Sequence, residues 1–218
     1  MSSIIAVDFS ILSSAAAKFS DGKVELYSFP AMESKYYNDW YTDKKLKKFE
    51  IHKNIEDVVK VAPYLKEAKK SDNYQEAEIV KLINARNLAH TMLSVLMPKS
   101  DDILVLEGFS YMSKGLSFVD LIEYNSIFRY VFTRLIKEDN MIVIPPTDNK
   151  KDFSGKGNAD KLVMYDAFMK MDYKYQFKDM LVNSNGIYIN REKREVAKPI
   201  DDIIDAISLL QTFIKKYE

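Results

Sequence analysis

Between residues 103 and 146 the chain reads apolar, amphipathic, apolar: "ILVLE" is followed by the long "SFVDLIEYNSIFRYVFTRLIKED" and then by "MIVIPP". A short apolar run rich in β-branched residues fits a strand buried on both faces, and prolines stop the second run because they cannot donate to a ladder. Two such strands joined through one helix form a βαβ unit, which requires parallel pairing. A parallel pair with its crossover helix commits the chain to a layered α/β architecture.

Upstream, "IIAV" at 4–7, "SILSSAAAKF" and, past the turn "SDG", "KVELYSF" predict three antiparallel strands joined by tight turns. Residues 76–97 place Ile79, Leu82, Ala89, Leu93 and Leu96 at helical spacing, and Pro98 cannot continue that helix. "GKGNADKLVMYDAFMK" reads as a loop entering a helix, and a last helix runs from about Ile200 to Lys216. Two stretches stand outside this order. Residues 30–71 mix aromatics and lysines with no clean period and read as a surface insertion, and residues 181–197 carry Asn185-Gly186 between apolar runs, a hairpin signal. The expectation is one α/β domain over residues 1–218, with a mixed five-stranded sheet, three antiparallel strands then parallel ones, flanked by helices.

A chain of 218 residues with 47% hydrophobic content can bury one substantial core. Its 32 basic and 32 acidic residues cancel, so only local charge is informative. The absence of cysteine excludes disulfides and thiolate chemistry and fits a reducing compartment. The start, "MSSIIAVDFS", has no basic n-region, and no apolar run approaches the roughly 20 residues of a membrane span. A soluble, cytoplasmic protein with no membrane partner is expected.

The acids fall at telling places. Asp8 closes the first strand, Glu107 closes "ILVLE", and "PIDDIIDAISLL" sets Asp202 and Asp205 three apart on one face of the last helix. An open α/β sheet presents such strand-end groups to a cleft at its carboxyl edge. Four carboxylates meeting there would repel strongly unless a divalent cation neutralised them. An all-oxygen set, with two scattered histidines, favours magnesium or manganese over zinc.

Four segments, "IIAVDFS", "ILVLEGFSYMSKG", "GKGNADK" and "DDIIDAISLL", resemble in order and spacing the ribonuclease H-like nucleases, and among them the RuvC-type Holliday junction resolvases of a phage or viral branch. The resemblance implies a ribonuclease H-like fold in which Asp8, Glu107, Asp202 and Asp205 hold two Mg2+ ions, with Mn2+ able to substitute, and Lys161 lies at the scissile phosphate. It further implies a homodimer that nicks branched DNA, one strand per active site, by two-metal phosphodiester hydrolysis. Lys150 falls at a basic position of the family pattern, and with Lys151, Lys156 and Lys161 it forms a basic stripe for DNA phosphates. Phe109 and Tyr111 straddle the place where the family puts a junction-stacking aromatic, here Ser110. Asp201 competes with Asp202, since neighbours on a helix point about 100° apart; the D-x-x-D-A spacing favours Asp202.

Other features have plainer readings. "KKLKK" at 44–48 reads as a solvated face, "REKR" at 191–194 as a further patch for phosphates, and Trp40 with Tyr36, Tyr37 and Tyr41 as an apolar cluster under a loop. His90 and His52 take no catalytic role. "GKGNADK" is not a nucleotide phosphate loop, because no Ser or Thr follows its lysine. Two rival activities share the fold: a packaging-type or RNA:DNA-hybrid nuclease, and a silent DNA-binding descendant.

Overall fold

The computed structural model describes residues 2–32, 34, 59–68, 73–109, 116–171, 189–190, 195–196 and 198–217. Tyr111, Trp40, His52, "KKLKK", "REKR" and Asn185-Gly186 lie outside them.

Strands β1 (Ile4–Asp8), β2 (Ser13–Ser20) and β3 (Lys23–Pro30) form the antiparallel meander that the apolar runs predict. Asp21 and Gly22 turn the β2–β3 hairpin with φ of 50° and 76°, the two positive values that a tight turn matched to strand twist requires. Strands β5 (Ile103–Glu107) and β6 (Met141–Ile144) continue the sheet in parallel from β1. Asp102 sets that register, since its carboxylate accepts from the backbone N–H of Ser3 at 2.7 Å and of Lys99 at 2.9 Å.

The sheet has six strands rather than the five expected, in the order β4-β3-β2-β1-β5-β6. The sixth, β4 (Val59–Val61), comes from the region read as an insertion and pairs in parallel with β3, Leu26 opposite Val59. Its three residues are too few to show a period. Asn84 anchors the chain after it, accepting from the Glu67 N–H and donating to the Glu67 carbonyl. In the 181–197 region, β7 (Ile189–Asn190) pairs antiparallel with β8 (Glu195–Val196).

Helix α1 (Tyr74–Leu96) begins at Asn73, whose side chain accepts from the Gln75 N–H, and ends at Met97 in the left-handed region, just before Pro98. Its buried face is Asn84, Ala85, Leu88, Ala89, Met92 and Leu96. Ile79 and Leu82, expected on that face, are exposed: at 3.6 residues per turn they lie about 120° and about 60° around the helix from Ala85. Helix α2 (Leu116–Thr133) is the crossover between β5 and β6.

The prolines after β6 stop the strand, as expected, and Pro146 also starts a helix that no sequence signal announces: α3 (Pro146–Ser154). Proline suits a first helical turn because its missing N–H has no partner there in any case. Gly155 ends α3 at φ 82°, its N–H returning to the Lys151 carbonyl. Helices α4 (Lys161–Lys170), capped by Asp160, and α5 (Ile200–Tyr217) complete the chain.

Alternation along the strands sends residues to two cores. Ile5, Val7, Leu104 and Leu106 meet α1 and α2, together with Phe128 and Phe132. Ile4, Ala6, Val105 and Ile144 meet α4 and α5. Among the described residues no helix is long and apolar enough to cross a membrane.

Candidate functional site

Residue parity decides where the acids go. Asp8 follows Ile4 and Ala6 on the α5 side of β1, and Glu107 follows Val105 on the same side of β5. The parallel register, with Val7 opposite Leu106, ends both strands side by side. Helix α5 packs its apolar face across β1 and β2, which brings its first two turns over those strand ends. The fold therefore gathers Asp8, Glu107, Asp202 and Asp205 at one sheet edge.

Their electrostatics show the gathering. Asp8 is held far above the ordinary carboxylate range, first by burial and then by the Asp205, Asp202 and Glu107 carboxylates. Burial pushes Asp205 up to about 7, helped by Glu107 and Asp202, and pushes Asp202 up to about 6, helped by Asp201. Burial also raises Glu107. Like charges in a desolvated site raise one another's pKa because each ionisation makes the next one harder.

Two of the cations nearest these acids differ in setting. Lys161, at the start of α4, pairs with Asp201 while half of its own side chain stays in solvent. Lys198, in the turn before α5, pairs with Asp202, lies 3.7 Å from Asp201 and acts on Asp8. Burial works against the Lys198 ammonium, but Asp202 and Asp201 outweigh it and hold its pKa above the ordinary lysine value. Asp201 and Asp202 are both buried, contrary to the expectation that one alone turns inward: Asp202 acts on Asp8, whereas Asp201 receives Lys161.

Asn149 of α3 is the other residue that sequence reasoning missed. Fully buried, it accepts from the Thr212 hydroxyl at 3.1 Å, donates to Ser208 Oγ at 2.9 Å and reaches Glu107 Oε1 at 3.5 Å. Its neighbour Lys150 acts electrostatically on both Glu107 and Asp205. Lys151 and Lys156 are exposed, and Lys156 lines a cavity of about 500 Å3 between α3 and α4 that none of the acids borders. Phe109 stands in T-shaped contact with Phe118, with the Arg129 guanidinium 5.1 Å above its ring. His90 is exposed on α1.

The donor set suits a hard divalent cation. All four groups offer oxygen, and Asp202 Oδ2 and Asp201 Oδ1 are buried with no hydrogen-bond partner. Among the described residues no three His, Asp or Glu side chains are drawn close enough to grip an ion as they stand. Asp202 is turned to Lys198 instead.

No protein-family model matches the chain, and no curated protein is similar to it in sequence. Solved structures are similar in shape. The yeast mitochondrial Holliday junction resolvase Ydc2 aligns over 98% of this chain and 78% of its own, at 10% identity and a TM-score of 0.50. Thermus thermophilus RuvC aligns over 98% of this chain and 95% of its own, at 10% identity and a TM-score of 0.43. RuvC of the same organism in complex with a Holliday junction substrate aligns over 98% and 93%, at 12% identity and a TM-score of 0.45. With its antiparallel meander, parallel extension and flanking helices, the chain has the RuvC-like form of the ribonuclease H fold.

Proposed function

We propose that this chain is a divalent-cation-dependent DNA endonuclease that cuts four-way or other branched junctions. The observation that carries the reading is the half-buried Asp8, its pKa raised by desolvation and by three other carboxylates drawn from β5 and α5 at one sheet edge. A folded chain has little reason to draw four like charges together, Asp202 buried and Asp8, Glu107 and Asp205 half-buried, unless they serve a ligand. Asp8, Glu107, Asp202 and Asp205 would hold Mg2+ or Mn2+, which when bound supplies the Lewis acidity that phosphodiester hydrolysis needs.

The chain's own residues do the rest. Asn149 orients Glu107 through its amide, itself fixed by Ser208 and Thr212. Lys161, half in solvent above Asp201, is placed to meet a phosphate and stabilise the charge that develops on it. Lys150 lies on the same side, and Lys151 and Lys156 extend the positive edge along the approaching backbone. Phe109 offers a ring at the end of β5 for an unpaired base. Because a four-way junction needs two symmetric cuts, the reading pairs two chains in a homodimer.

The test is incubation of end-labelled four-way junction, linear duplex and RNA:DNA hybrid with the protein, with Mg2+ or with chelator. The expected result is paired nicks in the junction that require the cation. Preferential cutting of the hybrid would transfer the chain to a different nuclease activity. Junction binding without cutting under any divalent cation would identify a silent relative.

A further inference from the structure

Resting on the reading just given, we propose that Lys198 is a resident counter-cation that occupies Asp202 and must leave it when the divalent cation binds. The geometry separates this lysine from the other one at the site. The Lys161 side chain is 53% exposed and faces outward from Asp201, whereas the Lys198 side chain is 23% exposed and reaches inward to Asp202 and toward Asp8. A surface lysine in the first position can meet DNA; the one in the second is turned toward the acids.

Asp202 has two oxygens. One takes the Lys198 ammonium, and the other is buried with no partner. The lysine therefore meets half of what this carboxylate can bind. A single ammonium also carries one charge against Asp8, Asp201 and Asp202, so it neutralises the cluster incompletely, whereas a hard divalent ion brings two charges and accepts oxygen ligands from several sides. Lysine is suited to such a place because its charge sits on a flexible four-carbon stem and can move several ångströms. It also has somewhere to go: Asp201 Oδ2 lies 3.7 Å from its nitrogen. That carboxylate is shared with Lys161, so the arrival of Lys198 on Asp201 releases Lys161 toward a phosphate. Cation loading and the readiness of the DNA-facing lysine are thereby joined through one pair of adjacent aspartates.

The experiment is Mn2+ binding to the full chain at neutral pH, measured by calorimetry and by the electron paramagnetic resonance of free Mn2+, for wild type, Lys198→Met, Lys198→Arg and Lys161→Met. Methionine keeps the apolar stem without the charge. Lys198→Met is expected to bind Mn2+ about tenfold more tightly than wild type, since a competing unit charge within a few ångströms has been removed. Lys161→Met, which removes an equal charge farther out, is expected to change affinity by less than about threefold. Lys198→Arg, which keeps the competing charge, stays near wild type. In the wild type itself, Mg2+ titration followed by NMR of the lysine side-chain nitrogens should shift the Lys198 signal at the concentration that saturates the site. Equal or weaker Mn2+ binding by Lys198→Met, or a Lys198 signal that does not respond to Mg2+, overturns the displacement. If the wild type binds no Mn2+ and cuts no junction, the functional reading fails and this inference falls with it. Saturable binding and cutting by a wild type whose Lys198→Met variant binds no tighter leave the nuclease intact and remove only the role of Lys198.

Discussion

The two faces of the sheet are fed by the same alternating strands, yet they do opposite work. On the α1/α2 side, Ile5, Val7, Leu104 and Leu106 close against Leu88, Met92, Phe128 and Phe132, all essentially free of solvent. On the α5 side the apolar layer of Ala6, Val105, Ile203 and Ile207 stops two residues short of the strand ends, and there Asp201, Asp202 and Asn149 are buried instead. One face contributes stability by removing apolar surface from water. The other spends part of it on holding carboxylates together out of water. The difference marks the candidate site more clearly than any single residue does, because nothing in packing alone calls for acids at that edge.

Substitutions on the two faces should therefore move stability in opposite directions. Phe128, 5.1 Å from the Phe9 ring and 4.3 Å from that of Phe132, fills the apolar side. Phe128→Ala is expected to cost about 3–5 kcal/mol, read from urea unfolding. Asp205→Asn on the other side is expected to raise the stability of the chelator-treated protein by about 1–3 kcal/mol at pH 8, because it removes a charge held out of solvent. A destabilised Asp205→Asn protein would erase the contrast between the faces.

The same contrast has a pH signature. Asp202 and Asp205 are raised in the folded chain, to about 6 and about 7. Unfolded, both return to roughly 3.9, so between these values the folded state binds more protons than the unfolded one. Stability of the cation-free protein must then fall as pH rises through that window, with the full cost present above about pH 8. Thermal melts in chelator from about pH 5 to pH 8 should show that decline, and Asp205→Asn should flatten it. A rise in stability over that range would contradict the burial of ionisable acids.

Smaller effects sharpen the picture. Asn149→Ala removes two buried hydrogen bonds that tie α3 to α5, and about 1–3 kcal/mol is the expected loss by chemical unfolding. Lys81 of α1 pairs with Glu78 on its own helix and bridges to Asp120 of α2 at the solvent rim of the apolar side. Lys81→Met should change stability by less than about 1 kcal/mol in the same assay, since exposed pairs gain little.

Much of this is legible in the sequence. The apolar-amphipathic-apolar order from 103 to 146 sets the parallel extension, and the acids that end "IIAVD" and "ILVLE" fall at the carboxyl edge of the sheet, while their shared face comes from the register that sets Val7 opposite Leu106. The three-residue spacing of Asp202 and Asp205 likewise places them together. What stayed hidden depends on contacts between distant segments. Lys198 looks like any lysine in a turn until α5 docks on β1, and Asn149 gains its meaning only from Thr212 and Ser208 more than fifty residues away. Val59–Val61 is too short to announce a strand, and Pro145-Pro146 signals the end of β6 more loudly than the start of α3.

The most direct test of the central claim is anomalous diffraction from crystals of the protein soaked in Mn2+. The account predicts manganese peaks enclosed by Asp8, Glu107, Asp202 and Asp205, with Lys198 moved off Asp202. Peaks confined to other surfaces, or none at concentrations that support catalysis, would contradict it.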